Sequence, residues 1–285
     1  MNRNSIPYLM MIFSYISTIL AGVLYFIIFV PSNSQLSEQN NSIWIVIYYL
    51  IIILLFTALL YFLFKKKKST YVKIFYYIVT FYILLFAISV VISIFLFFTN
   101  LIVNIILSFL LGGLLSFLAL YRIWNRDWLI LDISGIIISS FSAAIIAIYI
   151  GLIPIIILSL ILIFYDFISV NITKHMVTLA EETTKNNIPA LFIFPEQEKF
   201  VIGEGERNGI MLGLGDSTIP TMIILATFYQ FSILGLIITT IFTLIGLFIL
   251  IIFSRKRRPL PGLPFLNTFA LIGLSITYLM SFKII

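Results

Sequence analysis

The sequence predicts an all-α polytopic membrane protein, and three observations predict it. The 285 residues are 62% hydrophobic, with a mean hydropathy of +1.19. Only 10% are charged, where a water-soluble chain carries about a quarter. The apolar residues also fall in runs long enough to cross a bilayer as helices, which takes about 20 residues each. Runs of that size lie at 7–30, 43–64, 74–98, 101–121, 128–149, 153–171, 210–230, 232–253 and 264–282, so nine transmembrane helices are expected.

Span one is too long for a secretory h-region and has no small-residue cleavage site before the next polar stretch, so it reads as a retained helix. Span two ends at Lys65, Lys66, Lys67 and Lys68, and span three begins after Lys73. A tight turn at Thr99 and Asn100 separates spans three and four, and Arg122 and Arg126 follow span four. Span five carries Asp132 near its start, where Arg126 and Asp127 make a paired or snorkelling residue at the interface the expectation. Span six carries Asp166 and reaches a polar stretch at Asn171. A turn around Gln230 to Ser232 divides spans seven and eight, and a basic run at 255–258 precedes span nine.

Charge sets the orientation, because cytoplasmic loops collect Lys and Arg. Alternating the compartments across nine spans puts sixteen of the 17 Lys and Arg residues on one side and leaves Lys283 on the other. The N-terminus is therefore expected in the cytoplasm and the C-terminus outside. The net charge of +6 is a topology signal in this setting, and no nucleic-acid partner is expected. With no Cys and one His, disulfides, thiolate nucleophiles, iron–sulfur clusters and clustered zinc sites are excluded as the basis of function. Neither a metal nor a cofactor is expected, and the chemistry falls to carboxylates, hydroxyls or lysines. The single His175, on a polar loop, is expected to be solvated.

One loop is long, residues 172–209. It holds six of the 11 acidic residues and divides the chain into a six-span part (1–171), a cytoplasmic loop (172–209) and a three-span part (210–285). A short helix over 173–185 would place Met176, Leu179 and Ala180 on one side, and the apolar Ala190-Leu191-Phe192-Ile193-Phe194 between Pro189 and Pro195 reads as extended. No internal repeat is evident. Small-residue faces at Gly112, Gly113 and Gly235 would allow a homo-oligomer without requiring one. Asn40-Asn41-Ser42 is a sequon in an outside loop.

Ionisable groups inside the hydrocarbon are costly and usually functional. Asp166 lies five residues before Asn171, and Asp216 eight residues after Asn208. Counting about 1.5 Å per helical residue puts both roughly 8–12 Å below the same membrane face. Two carboxylates facing each other in a low dielectric do not both ionise, so one holds a proton and the pair is an acid and a base. The ionised member can take a proton from water as it attacks a peptide carbonyl while the other protonates the carbonyl oxygen. The same pair would also serve a cation channel or a proton-coupled transporter, and that alternative remains open at this point.

Asp166 is preceded by Tyr165, Asp216 by Gly213-Leu214-Gly215, and the last span begins at Pro261-Gly262-Leu263. Tyr-Asp and Gly-x-Gly-Asp in neighbouring spans, with a Pro-x-Leu before the last, resemble the intramembrane aspartyl proteases of the presenilin and signal peptide peptidase family. The family has Pro-Ala-Leu at the third element, so Gly262 is a departure. The resemblance implies that Asp166 and Asp216 are catalytic and that Tyr165, Gly213, Leu214, Gly215, Pro261, Gly262 and Leu263 bind or position substrate. It implies an intramembrane aspartic endopeptidase acting on transmembrane segments of other proteins in the lipid bilayer. Loop six and 261–264 would hold the unwound substrate by β-augmentation. Ser217-Thr218-Ile219-Pro220 looks like the signal peptide peptidase branch, whereas the charge split gives the presenilin orientation. With a short N-terminus, the chain looks like a microbial presenilin homologue of the plasma membrane that acts without partner subunits.

Overall fold

The computed structural model describes residues 6–30, 43–66, 69–195, 209–254 and 260–282. Lys67, Lys68, the sequon, the basic run at 255–258, Lys283 and the acidic residues Glu196, Glu198, Glu204 and Glu206 lie outside them. Among the described residues, eight helices are long and apolar enough to cross a membrane. They are α1 (Ile6–Phe29), α2 (Ile43–Lys65), α3 (Ser69–Phe95), α4 (Leu101–Trp124), α5 (Trp128–Tyr149), α6 (Leu152–Asn171), α8 (Leu214–Ser254) and α9 (Leu263–Phe282). The short α7 (His175–Lys185) follows α6, and two strands, β1 (Leu191–Pro195) and β2 (Gly209–Gly213), form an antiparallel pair. The chain is thus an integral, multi-pass helical membrane protein.

The sequence divides spans seven and eight where the chain carries one 41-residue α8 with a backbone break inside it. Phe231 (φ −124°, ψ 15°) and Ser232 (φ 57°, ψ −153°) leave helical geometry. An unbroken helix would hold residues eight apart about 12 Å apart along its axis. Here a Cβ built on Gly235 would come 2.7 Å from the Thr227 carbonyl oxygen, so the second arm turns back on the first. The second arm then runs antiparallel to α9: Gly246 abuts Phe265 and Phe269, and Gly273 abuts Thr239 and Phe242. Lipid tails are as apolar as leucine, so helices in a bilayer associate through close packing at small residues. Gly112 uses the α4 small-residue face against Ser89 and Leu85 of α3, and Gly235 packs within α8. Gly113 has only Leu85 Cδ1 near the position of a Cβ, at 3.9 Å.

The buried core lies between α1, α5, α6, the first arm of α8 and α9, with Ala143, Ala144, Ala147, Ile155, Ile223, Leu225 and Ala270 at its centre. A second cluster ties Met11, Tyr15 and Ile19 of α1 to Phe192, Phe194 and Leu212 of the strands and to Leu247 and Leu266. Large apolar side chains such as Phe13, Leu55, Phe98, Leu110 and Ile233 face outward, as they must where the solvent is hydrocarbon.

Two boundaries differ from expectation. Helix α3 begins at Ser69, because the sequence around Lys73 continues the helix and the ammonium of Lys73 lies over the Trp124 ring, 3.9 Å from its centre. The start of the seventh expected span is strand: Gly209, Ile210, Met211, Leu212 and Gly213 pair with Pro195 to Leu191, and α8 begins only at Leu214. The partner strand decides this, because an apolar run of three bounded by glycines fits either state until a neighbour offers backbone hydrogen bonds. Both expectations within loop six have counterparts. Leu179 is buried and Met176 packs beside it against Leu60 and Val72, while the apolar Leu191–Pro195 stretch is β1.

Candidate active site

Helix α6 buries Ile155, Leu158, Leu162, Asp166 and Ser169, a recurrence every three or four residues that makes one inward stripe. Phe164, Phe167 and Ile168 face out. Asp166 therefore points into the bundle, 7% exposed. Asp216 stands in the first turn of α8, half-buried, and its Oδ2 accepts the backbone N–H of Gly213 at 3.2 Å. Gly213 occupies the N-cap position, so this contact is the reach-back arm of a capping box. It ties the end of β2 to the helix that carries Asp216.

The start of α9 joins the two carboxylates. The first N–H groups of a helix have no partner inside it, and the Leu263 N–H donates to Asp166 Oδ2 at 3.1 Å. The Gly262 N–H also serves that carboxylate. On its other side Gly262 faces Asp216, where a Cβ built on Gly262 would lie 2.7 Å from both Cγ and Oδ2. The carboxylates are near enough to interact electrostatically. One tripeptide, Pro261-Gly262-Leu263, buried throughout, is thus wedged against both acids.

The other residues singled out from the sequence fall around this centre or away from it. Leu214 packs in the cluster beneath the strands, with Cδ2 2.9 Å from a Cβ built on Gly135. Gly215 is exposed and a Cβ there would meet nothing within 4 Å. The Tyr165 hydroxyl turns aside: it donates to Thr57 Oγ1 at 3.0 Å and lies 3.1 Å from His175 Nε2. His175 is accordingly not a solvated loop residue. Thr173 Oγ1 is 2.6 Å from its Nδ1, Tyr61 meets its ring edge-on, and burial holds its imidazole below the ordinary 6.5. Gly209 and Gly213 make no helix-to-helix contact, since both lie in β2.

Asp132 is not an interfacial partner of Arg126 and Asp127. It is 7% exposed and accepts the Ile193 N–H of β1 at 2.8 Å, while Asp127 caps α5 through Leu129 N and Ile130 N and pairs with Arg122 at 3.5 Å. A contact 61 residues away leaves no trace in local pattern. Nor does Tyr15 of α1, whose buried hydroxyl has no hydrogen-bond partner among the described residues. No group of three or more His, Cys, Asp or Glu arranged to hold a metal occurs among the described residues.

Asp166 and Asp216, both against the start of α9 inside a bundle of apolar helices, form an arrangement able to hold an acid and a base side by side. The family profile described as signal-peptide peptidase, presenilin aspartyl protease matches residues 10–283. The chain belongs to that family and is an intramembrane aspartic endopeptidase. Two structures of a presenilin family intramembrane aspartate protease share its fold. The one in space group C222 has 20% identity and a TM-score of 0.66 over 94% of this chain and 97% of that one. The one in space group P2 has 22% identity and a TM-score of 0.67 over 95% and 96%. No curated protein matches the chain.

Proposed function

We propose that Asp166 and Asp216 together activate one water for hydrolysis of peptide bonds within transmembrane segments of other membrane proteins. The observation that carries this is the wedge of Gly262 and Leu263 against both carboxylates, which fixes the acids on either side of one small volume. One aspartate, ionised, takes a proton from the water as its oxygen bonds to the scissile carbonyl carbon. The other, protonated, gives its proton to the carbonyl oxygen. The tetrahedral diol then collapses: the C–N bond breaks, the nitrogen takes a proton from the pair, and a carboxylic acid and an amine leave. Neither aspartate is assigned the base role, because coupled acids titrate as a unit.

A helical substrate hides its peptide bonds in its own hydrogen bonds, so it must be extended before attack. The edge of β2 away from β1, which has no strand partner among the described residues and ends at Gly213 beside Asp216, supports docking of the extended segment by strand addition. Gly213, Leu214, Gly215 and the Pro261-Gly262-Leu263 segment position it. Tyr165 acts at one remove, through the Thr57 and His175 contacts that fix the α6 terminus.

Topology follows the same reading. Helix α8 would be about 60 Å long if straight, twice the roughly 30 Å hydrocarbon thickness, and it turns back at Phe231 and Ser232. Two crossings by its two arms give nine in all. The distribution of Lys and Arg supports a cytoplasmic N-terminus and active-site face and an outside C-terminus, and the plasma membrane of a microbe is the location proposed with it.

The test uses purified protein in liposomes with a single-span reporter substrate, comparing wild type with Asp166→Ala and Asp216→Ala and adding an inhibitor that mimics the tetrahedral intermediate. Cleavage lost in both variants and blocked by the inhibitor supports the proposal. Folded wild type that cuts nothing, with both variants altering ion flux, would replace it with a channel.

A further inference from the structure

We propose that Asp132 is a positioning residue for proteolysis: its carboxylate closes the outer edge of β1 and locks the β1–β2 pair in the one register that leaves β2 open beside Asp216. The inference rests on the reading above that substrate adds as a strand.

In an antiparallel ladder, the N–H and C=O of alternate residues point toward the partner strand and those between point away. The Leu214 N–H donates to the Ala190 carbonyl at 3.4 Å, which extends the ladder and sets residues 190, 192 and 194 facing 214, 212 and 210. Ile193 must then point away from β2, and its N–H is the one that Asp132 accepts. On β2 the residues with the same parity as Met211 point away from β1. Gly213 confirms the assignment independently, since its N–H goes to Asp216. One edge of the sheet is therefore occupied by a carboxylate from α5. The other leads from the Met211 backbone to Gly213 and the candidate catalytic acid.

The rest of α5 is shaped for the same task. Asp132, Gly135, Ile136 and Ser139 follow at i, i+3, i+4 and i+7, which is one face of a helix. A Cβ on Gly135 would lie 2.8 Å from Phe192 Cε1 and 2.9 Å from Leu214 Cδ2, and Ser139 Oγ donates to the Leu214 carbonyl at 3.4 Å. The strands thus lie directly on this stripe, with Asp132 as its hydrogen-bond anchor. A two-stranded pair is marginal by itself and can slip by two residues without changing the face of any side chain. The Asp132 acceptor fixes β1 on α5, and the Gly213 N–H on Asp216 fixes β2 to α8, so together they remove that freedom.

The experiment compares Asp132→Asn, which keeps an Oδ1 acceptor, with Asp132→Ala, which does not. Cut positions in the reporter segment are mapped by mass spectrometry and amide exchange is followed at 191–195 in the full protein in detergent. Asp132→Ala is expected to lower kcat/KM by about tenfold through misplacement of substrate, to add cut positions two residues from the main one, and to deprotect Ile193. Asp132→Asn should restore the single position and the protection. General destabilisation would slow cleavage without moving the cut. Unchanged cut positions and exchange in Asp132→Ala would overturn the proposal, as would an Asn variant as impaired as Ala. If the Ala variant does not fold, the Asn variant and the wild-type exchange at Ile193 decide alone: fast exchange there refutes the anchor. Exchange reads the anchor without any turnover, so a wild type that protects Ile193 yet cuts at positions no β2 register explains would sink strand addition while leaving the anchor standing.

Discussion

Gly262 lies flat against the carboxylate of Asp216, so close that the smallest side chain would meet Cγ and Oδ2 at 2.7 Å. The related family motif has alanine at this position. Gly262→Ala therefore restores the familiar residue and is expected to harm this chain. Contacts below 3.0 Å force something to move, and the atoms met here belong to Asp216, one of the two proposed catalytic acids. A displacement of about 1 Å can cost about a hundredfold in rate, so kcat/KM on the reporter substrate should fall by one to two orders of magnitude while the melting temperature changes little. An unchanged rate would mean that the Asp216 side chain swings aside freely and that the wedge does not set its position.

Asp166→Asn keeps an oxygen that can accept the Leu263 N–H, so the start of α9 stays capped and the fold is retained. The variant loses the capacity to exchange a proton. Its single-turnover cleavage should drop by two to four orders of magnitude, the range general acid–base catalysis supplies. Adding Asp216→Asn should then cost little more, since partners acting as a unit are not additive. Additive losses would show two independent roles and end the paired mechanism.

The spans were legible because hydrocarbon imposes a length and a polarity that no other environment does. The apolar Leu191–Pro195 stretch could be read as extended between its prolines, whereas the count that set Asp216 level with Asp166 took helix from Asn208 onward, and 209–213 is strand. What local pattern could not carry was anything that required a partner. Strand β2 hides inside an apolar run that fits a helix until β1 is beside it, although Ile210, Met211 and Leu212 between two glycines are themselves a short-strand signal. The bond from Asp132 to Ile193 crosses 61 residues. Gly262 reads as a conservative departure from a motif until Asp216 is seen against it, whereas the reversal at Phe231 and Ser232 falls where the polar Gln230 to Ser232 stretch reads as a turn.

His175 gives a pH dependence with a defined sign. Burial holds its folded pKa below the ordinary 6.5, so in the window below 6.5 the unfolded chain binds more protons than the folded one. Stability then rises with pH through that window and is lost as pH falls. The surroundings that would have to accommodate a charged ring are Tyr165, Thr173 and Tyr61. Melting temperatures of wild type and His175→Gln, measured in detergent from pH 8 to 5, should run parallel above about 6.5 and separate below it, with wild type falling faster. Curves parallel throughout would show that His175 titrates as it does in water.

Gly246 and Gly215 should respond to substitution in opposite ways. A Cβ on Gly246 would stand 2.8 Å from the Phe265 carbonyl oxygen and 3.0 Å from Phe269 Cβ. Backbone does not yield as a side-chain tip does, so Gly246→Ala should destabilise by about 1–3 kcal/mol, the usual cost of overpacking, and separate the second arm of α8 from α9. Gly215 has open space where a Cβ would project and stands in the first turn of α8, where alanine is the better helix former by about 1 kcal/mol. Gly215→Ala should melt at the same temperature or higher. Its cleavage should nevertheless fall several-fold if the extended substrate backbone approaches, as proposed, through the space beside Gly215 next to Asp216. Full activity in Gly215→Ala would place the substrate on the other side of Asp216, toward Gly262. Loss of both stability and activity would show that the glycine is needed for the backbone at the β2–α8 junction, and not for the space it leaves.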